Sequence, residues 1–324
     1  MKPKVVVTRE VFDDSIAYLA GHCEVIANQA DVPYTPDALA AKLAGCAGVM
    51  CALTDKVDAA LIARAPQLKA VANIAVGYNN IDVPACTARG IKVTNTPGVL
   101  DDSTADLAFA LMLATARRIT EVESYIRNGA WTGWKLKQWL GVDVHHATLG
   151  IIGMGRIGQA IARRAAGFDM KVIYHNRTRV APEIEARVHA TYAGMDELLA
   201  QADFIILQMP YSPATHHLIG AKELATMKPS AILINSTRGG VVDDKALIAA
   251  LQNGVIRAAG LDVFEGEPKL NAGFLELKNV VLAPHIGSST EATRRAMAML
   301  AAKNMVAALR GETPPNWVNP DARA

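Results

Sequence analysis

The chain is poor in cysteine. Its 324 residues contain four, Cys23, Cys46, Cys51 and Cys86, and none of them forms a CxxC pair. This spacing fits neither a disulfide framework nor a cysteine-rich zinc site. The thiols are therefore expected to be reduced and buried.

Long apolar runs are also missing. The longest suggestive stretch, residues 107–116, is too short to span a bilayer. Three valines near the start give way to the charged Arg9 and Glu10, so the apolar core of a signal peptide is lacking. A cytoplasmic protein without a membrane partner is expected.

An excess of charge of either sign is missing as well. Lysine and arginine total 33 against 31 aspartates and glutamates, a formal net charge of +2. Without a strong surface field, no nucleic-acid partner is expected. The length suggests two domains, and the partners have to be inferred from individual sites.

Histidine occurs twice as an adjacent pair, His145-His146 and His216-His217. Neighbouring residues of a helix or strand cannot both face one metal ion as an i, i+4 pair would. Both pairs are expected to be loop or cap residues, and no metal site is predicted.

A glycine fingerprint lies near the middle of the chain. The apolar, strand-like run Thr148–Ile152 precedes it and a helical pattern over 157–166 follows it, which is the context that dinucleotide binding requires. Backbone N–H groups at the start of the helix could receive a pyrophosphate. The candidate cofactor-binding residues of this turn are Gly153, Gly155, Arg156, Ile157 and Gly158.

Strand and helix patterns alternate on both sides of the fingerprint, which is typical of parallel sheets covered by helices. We predict two Rossmann-like, doubly wound α/β domains. Because the fingerprint is central, the dinucleotide-binding domain, residues 99–289, is predicted to be inserted into a discontinuous substrate-binding domain, residues 1–98 and 290–324. The substrate is expected in a cleft at the resulting hinge.

The choice of nicotinamide cofactor depends on the end of the second strand after the glycines. An NAD site usually carries an acidic residue there for the ribose hydroxyls, but this chain has Asn176, Arg177, Thr178 and Arg179. These four could bind a 2′-phosphate through charge-assisted hydrogen bonds. NADPH is favoured, NADH stays open, and a solvated basic turn is the alternative.

Three further segments each place a reactive residue just after a predicted strand: NSTRGG with Arg238, FEGEP with Glu267 and PHIGS with His285. Reduction of a 2-keto acid needs a cation for the carboxylate and carbonyl, and an acid for the developing alkoxide. Arg238 and His285 suit these tasks, and Glu267 would favour the imidazolium. A structural ion-pair network is the alternative interpretation.

The glycine run and these three segments, in this order, closely resemble the D-isomer-specific 2-hydroxyacid dehydrogenase family, and within it the bacterial glyoxylate/hydroxypyruvate reductases that also act on 2-ketogluconate. The resemblance implies that Arg238 is substrate-binding and catalytic, that Glu267 is the partner of the histidine, and that His285 is the proton donor. It also implies a homodimer, with the segment of Trp131, Trp134 and Trp139 at the subunit contact.

The resemblance implies further site residues. Val76 and Gly77 would bind the substrate carboxylate through their amides, although Gly77 could serve turn geometry alone. Asp262 would hold the carboxamide of the cofactor, although it could merely cap a turn. The remaining positions implied near the cofactor are Thr104, Pro210, Thr237 and Gly287.

The predicted function is the NADPH-dependent reduction of a small 2-keto acid, glyoxylate, hydroxypyruvate or 2-ketogluconate, to a D-2-hydroxy acid. A phosphoglycerate dehydrogenase of the same fold is an alternative, disfavoured because many of these carry a regulatory domain after the core. A nucleotide-sensing co-repressor built on the same scaffold is the alternative from another class.

Overall fold

The computed structural model describes residues 2–322. The chain divides into two compact units, Met1–Leu100 with Ser288–Ala324, and Asp101–Gly287. Each unit is built on one parallel sheet, and the predicted α/β class with two doubly wound domains is confirmed. No helix within residues 2–322 has both the length and the apolar character needed to cross a membrane.

The first hundred residues alternate strand and helix throughout. Thr35 and Asp58 accept hydrogen bonds from the N–H groups of Ala38 and Leu61, so each caps the helix that follows it. The elements are β1 Lys4–Val7, α1 Asp13–His22, β2 Glu24–Ala27, α2 Pro36–Leu43, β3 Gly48–Cys51, α3 Ala59–Ala63, β4 Ala70–Asn73, α4 Val83–Ala88 and β5 Lys92–Thr94.

The second unit begins with two helices and continues as a longer α/β array. Its elements are α5 Asp101–Ala116, α6 Ile119–Arg127, β6 Thr148–Ile152, α7 Arg156–Ala165, β7 Lys171–His175, α8 Pro182–Val188, β8 Ala190–Tyr192, α9 Met195–Gln201, β9 Phe204–Leu207, α10 Ala221–Thr226, β10 Ile232–Asn235, α11 Asp244–Gln252, β11 Ala258–Leu261 and β12 Val280–Leu282, with short 3₁₀ turns at Ala166–Phe168 and Ala272–Glu276. The final helix, α12 Glu291–Leu309, returns to the first unit.

The five strands of the first sheet follow the order β2-β1-β3-β4-β5. Strands β3 and β4 are buried along their whole length, which explains why their sequences are apolar up to Asn73 at the end of β4, because a parallel sheet is covered on both faces. Helix α12 contributes Ala301, Ala302 and Met305 to the core of this unit.

The seven strands of the second sheet follow the order β12-β11-β10-β9-β6-β7-β8. The chain runs outward from β6 through β7 to β8 and then crosses to β9 on the other side of β6. Ligands of open α/β sheets bind at such a switch point, beyond the carboxyl ends of the strands. All strands here are parallel, so their following loops share one edge.

Two strands and one helix have weak signals in the sequence. Strands β2 and β8 lie at sheet edges and are only partly buried, so their sequences lack the continuous apolar run of a central strand. Helix α1 begins after Phe12 without a side-chain cap, and the acidic Asp13 and Asp14 of its first turn are the signal that remains at its start.

Candidate active site

The glycine fingerprint forms the predicted strand-to-helix turn. Strand β6 ends at Ile152 and helix α7 begins at Arg156, with Gly155 as its N-cap. No side chain caps this helix and its first turn carries no acidic residue. The first N–H groups of α7 and the positive end of its dipole are therefore available to an anion.

The three glycines have distinct steric surroundings. A Cβ on Gly153, whose φ is +108°, would lie 2.3 Å from the carbonyl oxygen of Gln208, and one on Gly158 would lie 2.1 Å from the carbonyl oxygen of Gly153. A Cβ on Gly155 would meet no protein atom within 4 Å. Two glycines thus permit backbone packing, while the middle one keeps a surface open. A dinucleotide pyrophosphate site requires one glycine for the tight turn, one for the approach of the pyrophosphate and one for helix–strand packing. The turn therefore fits a nicotinamide dinucleotide.

This difference predicts the effect of a single methyl group. Gly155→Ala is expected to leave the melting temperature nearly unchanged, because its φ of −75° suits alanine, and to weaken NADPH binding roughly tenfold or more by blocking close approach of the phosphates. The matched variant Gly158→Ala should instead lower the melting temperature. Fluorescence titration with NADPH and thermal unfolding check both, and unchanged affinity of Gly155→Ala would contradict the assigned role.

The four residues after β7 have different tasks. The Asn176 side chain accepts a hydrogen bond from the N–H of Met154 at 2.7 Å and so fixes the glycine turn. Arg179 forms a two-pronged ion pair with Glu185, with both distances 2.8 Å. The ion pair and a hydrogen bond from Tyr174 lower the pKa of Glu185 to about 2. The guanidinium of Arg179 is therefore already paired with a carboxylate of the protein.

The side chains of Arg177 and Thr178 have no partner among the described residues. Both are exposed, and neither makes a hydrogen bond or ion pair with any residue in the described range 2–322. No carboxylate occurs between His175 and Arg179 that would repel a 2′-phosphate. Of the four predicted residues, Arg177 and Thr178 are the two that can reach a ligand without breaking an existing interaction.

Three neighbouring strands of the sheet carry the reactive side chains at their carboxyl ends. Arg238 follows β10, Glu267 lies in the loop after β11, and His285 follows β12. Since β12, β11 and β10 are consecutive in the sheet, the loops after them emerge side by side.

The predicted histidine–carboxylate contact is present. His285 Nδ1 lies 2.7 Å from Glu267 Oε2, and the other carboxylate oxygen accepts the N–H of Phe264 at 2.8 Å. Burial by itself would raise the pKa of Glu267, but the hydrogen bond and charge of His285, the Phe264 N–H and the Arg238 charge together hold it below its usual value. Glu267 is therefore an anion that fixes Nδ1, and Nε2 is left as the reactive nitrogen.

Arg238 supplies a half-buried positive charge. Burial lowers the pKa of its guanidinium, and the charge of Glu267 raises it; a guanidinium nevertheless stays protonated in proteins. Its Nη1 donates to the carbonyl oxygen of Thr237 at 2.7 Å. A desolvated cation interacts strongly with anionic ligands, because little water screens it.

Backbone geometry at His285 is unusual. Its φ is +55°, a region that non-glycine residues rarely occupy and that is frequent at functional sites. The carboxylate of Asp262 stabilises this turn by accepting the N–H groups of Ile286 at 2.7 Å and Gly287 at 2.9 Å. Asp262 thus braces the histidine loop, which agrees with the alternative interpretation of this residue as the cap of a turn.

The other predicted cofactor positions of this unit lie near the same sheet edge. A Cβ on Gly287 would lie 3.5 Å from the Thr104 side chain of α5, so these two are neighbours. The Thr237 hydroxyl donates to Asn235 at 2.9 Å, and Pro210 follows β9 with its carbonyl oxygen bound by Thr215.

Val76 and Gly77 belong to the first unit, in the loop after β4. The side chains of Asn95 and Asn73 donate to their carbonyl oxygens, both at 2.8 Å. No residue within 2–322 accepts a hydrogen bond from the N–H of Val76 or Gly77. The loop therefore presents two free donors on a fixed backbone, an arrangement that suits a carboxylate.

Comparison with known proteins gives consistent matches. Residues 109–287, all within the second unit, match the family described as D-isomer specific 2-hydroxyacid dehydrogenase, NAD binding domain. The chain is 51% identical over 325 residues to a glyoxylate reductase of Thermococcus litoralis, covering 99% of this chain and 98% of that one. It is 48% identical over 324 residues to glyoxylate/hydroxypyruvate reductase B of Shigella boydii, covering 99% of both.

A solved structure agrees as well. The NADPH-dependent glyoxylate/hydroxypyruvate reductase of Sinorhizobium meliloti, in complex with NADP and malonate, superposes with a TM-score of 0.88 at 33% identity and covers 100% of both chains. These matches define the class, an NAD(P)-dependent oxidoreductase. The chain belongs to the D-isomer specific 2-hydroxyacid dehydrogenase family.

Proposed function

We propose that this chain reduces glyoxylate and hydroxypyruvate to D-2-hydroxy acids with NADPH, and that 2-ketogluconate is a further substrate. The observation that carries the proposal is the 2.7 Å contact between His285 and Glu267, with the charge of half-buried Arg238 acting on the same carboxylate. The names of the relatives in Thermococcus litoralis and Shigella boydii support the substrate class.

Each member of the trio has a proposed task. The bound nicotinamide supplies the hydride that reaches the carbonyl carbon. Arg238 binds the substrate carboxylate and draws electron density toward the carbonyl oxygen. His285 gives its Nε2 proton to that oxygen as the alkoxide develops, while Glu267 keeps the ring oriented through its contact with Nδ1. The amides of Val76 and Gly77 are proposed to bind the carboxylate as well.

The proposed cofactor contacts follow the geometry of the second unit. The pyrophosphate is assigned to the amides around Gly155, Arg156 and Ile157, between the packing glycines Gly153 and Gly158. The 2′-phosphate is assigned to Arg177 and Thr178, with Asn176 and Arg179 holding the loop. The nicotinamide end is assigned to Thr104, Pro210, Thr237, Asp262 and Gly287.

Arg177 should decide the cofactor preference. Arg177→Ala is expected to raise the KM for NADPH roughly tenfold to a hundredfold, because a charge-assisted hydrogen bond to phosphate contributes about 1.5–3 kcal/mol. The KM for NADH should hardly change. Arg187→Ala, which removes another exposed arginine of the same unit, is the control. Steady-state kinetics with both cofactors checks this, and an unchanged KM for NADPH would refute the assignment.

We further propose a homodimer that forms through residues 119–140. Half of the exposed large hydrophobic side chains of the described chain lie in this segment, among them Trp131 at 60%, Trp134 at 77% and Leu136 at 74% exposure. A concentrated apolar surface of this kind marks an interaction site. Trp139, by contrast, packs against Tyr125 with ring centroids 5.0 Å apart. Sedimentation should give twice the 34.5 kDa chain mass, and a monomer would refute the proposal.

A cytoplasmic location is part of the proposal. All four cysteines are buried and unpaired, which fits a compartment that keeps thiols reduced.

A keto-acid panel tests the function as a whole. Loss of nicotinamide absorbance is followed with glyoxylate, hydroxypyruvate, 2-ketogluconate and phosphohydroxypyruvate, each with NADPH and NADH. We expect turnover with the first three and a preference for NADPH. NADPH binding without turnover of any keto acid would favour the co-repressor, and turnover of phosphohydroxypyruvate alone would favour phosphoglycerate dehydrogenase.

A further inference from the structure

A second group of reactive side chains shares no residue with the His285–Glu267 contact. The loop between β9 and α10 carries His216 and His217, and the loop after β11 carries Glu265. One ligand atom from each of the three lies within 4.8 Å of the others, and this is the only such group found among residues 2–322. We propose that His216, His217 and Glu265 bind one divalent transition-metal ion.

The backbone explains how two adjacent histidines can face one ion. His217 has a φ of +50°, so the chain turns there instead of continuing as strand or helix. Its ring therefore stacks on that of His216, with centroids 3.8 Å apart and planes 25° from parallel. The expectation of no metal rested on helix and strand geometry, which does not hold at this turn.

The ring of His217 lies between two carboxylates. Its Nε2 lies 3.2 Å from Glu265 Oε2, and its Nδ1 lies 3.9 Å from a carboxylate oxygen of Asp243, an ion-pair distance that is too long for a hydrogen bond. The other oxygen of Asp243 caps α11 by accepting the N–H groups of Lys245 and Ala246, which fixes the carboxylate. Asp243 therefore faces the ring nitrogen on the side where metal-bound histidines usually have a carboxylate partner.

The ring of His216 is also held in place. Its Nδ1 lies 3.2 Å from the hydroxyl oxygen of Tyr211. Gly240 packs against the rings of Tyr211 and His216, since a Cβ there would lie 3.1 Å from Tyr211 and 3.5 Å from His216 Nδ1. The carbonyl oxygen of Gly240 accepts the N–H of His217 at 2.7 Å. The site is thus largely formed before an ion arrives.

The ligand set indicates the class of metal. Two imidazoles and one carboxylate suit Zn²⁺, Ni²⁺, Co²⁺ and Cu²⁺, whereas Mg²⁺ and Ca²⁺ prefer oxygen ligands alone. The side chains of His217 and Glu265 are 35% and 47% exposed, so an ion can reach them from solvent. Three protein ligands leave further coordination positions for water.

The test uses the full chain without a polyhistidine tag and measures Zn²⁺ binding by competition with a chromophoric chelator. The wild type should bind one equivalent, and His217→Asn and Glu265→Gln should each bind at least about tenfold more weakly, as is seen when metal-site residues are replaced. Asparagine is chosen because it tolerates positive φ. His146→Asn is the matched control, since His146 also follows a histidine and has a φ of +62°.

Thermal unfolding gives an independent readout. Excess Zn²⁺ should raise the melting temperature of the wild type and of His146→Asn, because an ion that binds only the folded chain stabilises it. The two site variants should show little or no increase. Wild-type protein that binds no Zn²⁺, or equal affinity in His217→Asn, Glu265→Gln and wild type, would overturn the proposal.

Discussion

Replacing His285 with asparagine is expected to lower kcat by about 10²–10⁴-fold, the range that a positioned general acid contributes. Asparagine is preferred to alanine because the φ of +55° at this residue is tolerated by asparagine. The loss should then reflect the missing proton donor and not a distorted loop. NADPH affinity is expected to change little.

His189→Asn is the matched control, since His189 also has a positive φ, of +50°, and follows α8 far along the chain from the proposed donor. It should retain wild-type turnover. Single-turnover kinetics and thermal unfolding of both variants check the prediction. A His285→Asn enzyme with normal kcat would remove His285 from the mechanism.

The partner of the histidine can be tested by the same measurement. The two carboxylate oxygens of Glu267 contact Nδ1 of His285 and the Phe264 N–H separately. Glu267→Gln replaces one of these oxygens with an NH2 group and removes the negative charge, so it should lower kcat while NADPH affinity changes little. An unchanged kcat would contradict the role of Glu267 as the partner of the histidine.

Loss of Arg238 is expected to have an effect of similar size. Arg238→Ala should reduce kcat/KM by about a hundredfold or more, by comparison with the removal of other preorganised electrostatic donors. Within the trio, Arg238 is the residue proposed to bind the substrate carboxylate, so its removal leaves that negative charge without its partner. The loss should appear in KM through weaker carboxylate binding and in kcat through weaker polarisation of the carbonyl.

Arg238→Lys separates charge from shape. A lysine retains the positive charge but not the planar fork that matches a carboxylate, so it should recover only part of the lost activity. Melting temperatures establish that each variant is folded, and NADPH titration establishes that the cofactor site is intact. Near-normal kcat/KM in Arg238→Ala would contradict the proposed role.

The glycine turn could be predicted from sequence because it is local. Strand β6, the glycines Gly153, Gly155 and Gly158, and the start of helix α7 all lie within residues 148–158, so they determine the turn without long-range information. The contact between Glu267 and His285 is different, because the two residues follow separate strands. Spacing alone could not show that they meet, and only the family resemblance implied it.

The missed features depend on side chains that come together from separate elements. Glu185 of α8 engages Arg179, so one of the two arginines proposed for a 2′-phosphate is already paired. Asp262 braces the N–H groups of Ile286 and Gly287, a task that a lone aspartate does not reveal. The rings of His216 and His217 stack because His217 has a positive φ, and a positive φ at a histidine has no clear sequence signal.

The central claim is that this chain transfers a hydride to a small 2-keto acid and forms the D product. Hydroxypyruvate tests it most directly, because its reduction creates a stereocentre. The purified chain is incubated with hydroxypyruvate and NADPH, and the glycerate formed is separated by chiral chromatography. The account predicts D-glycerate in amounts equal to the NADPH consumed; formation of L-glycerate, or of no glycerate at all, would contradict it.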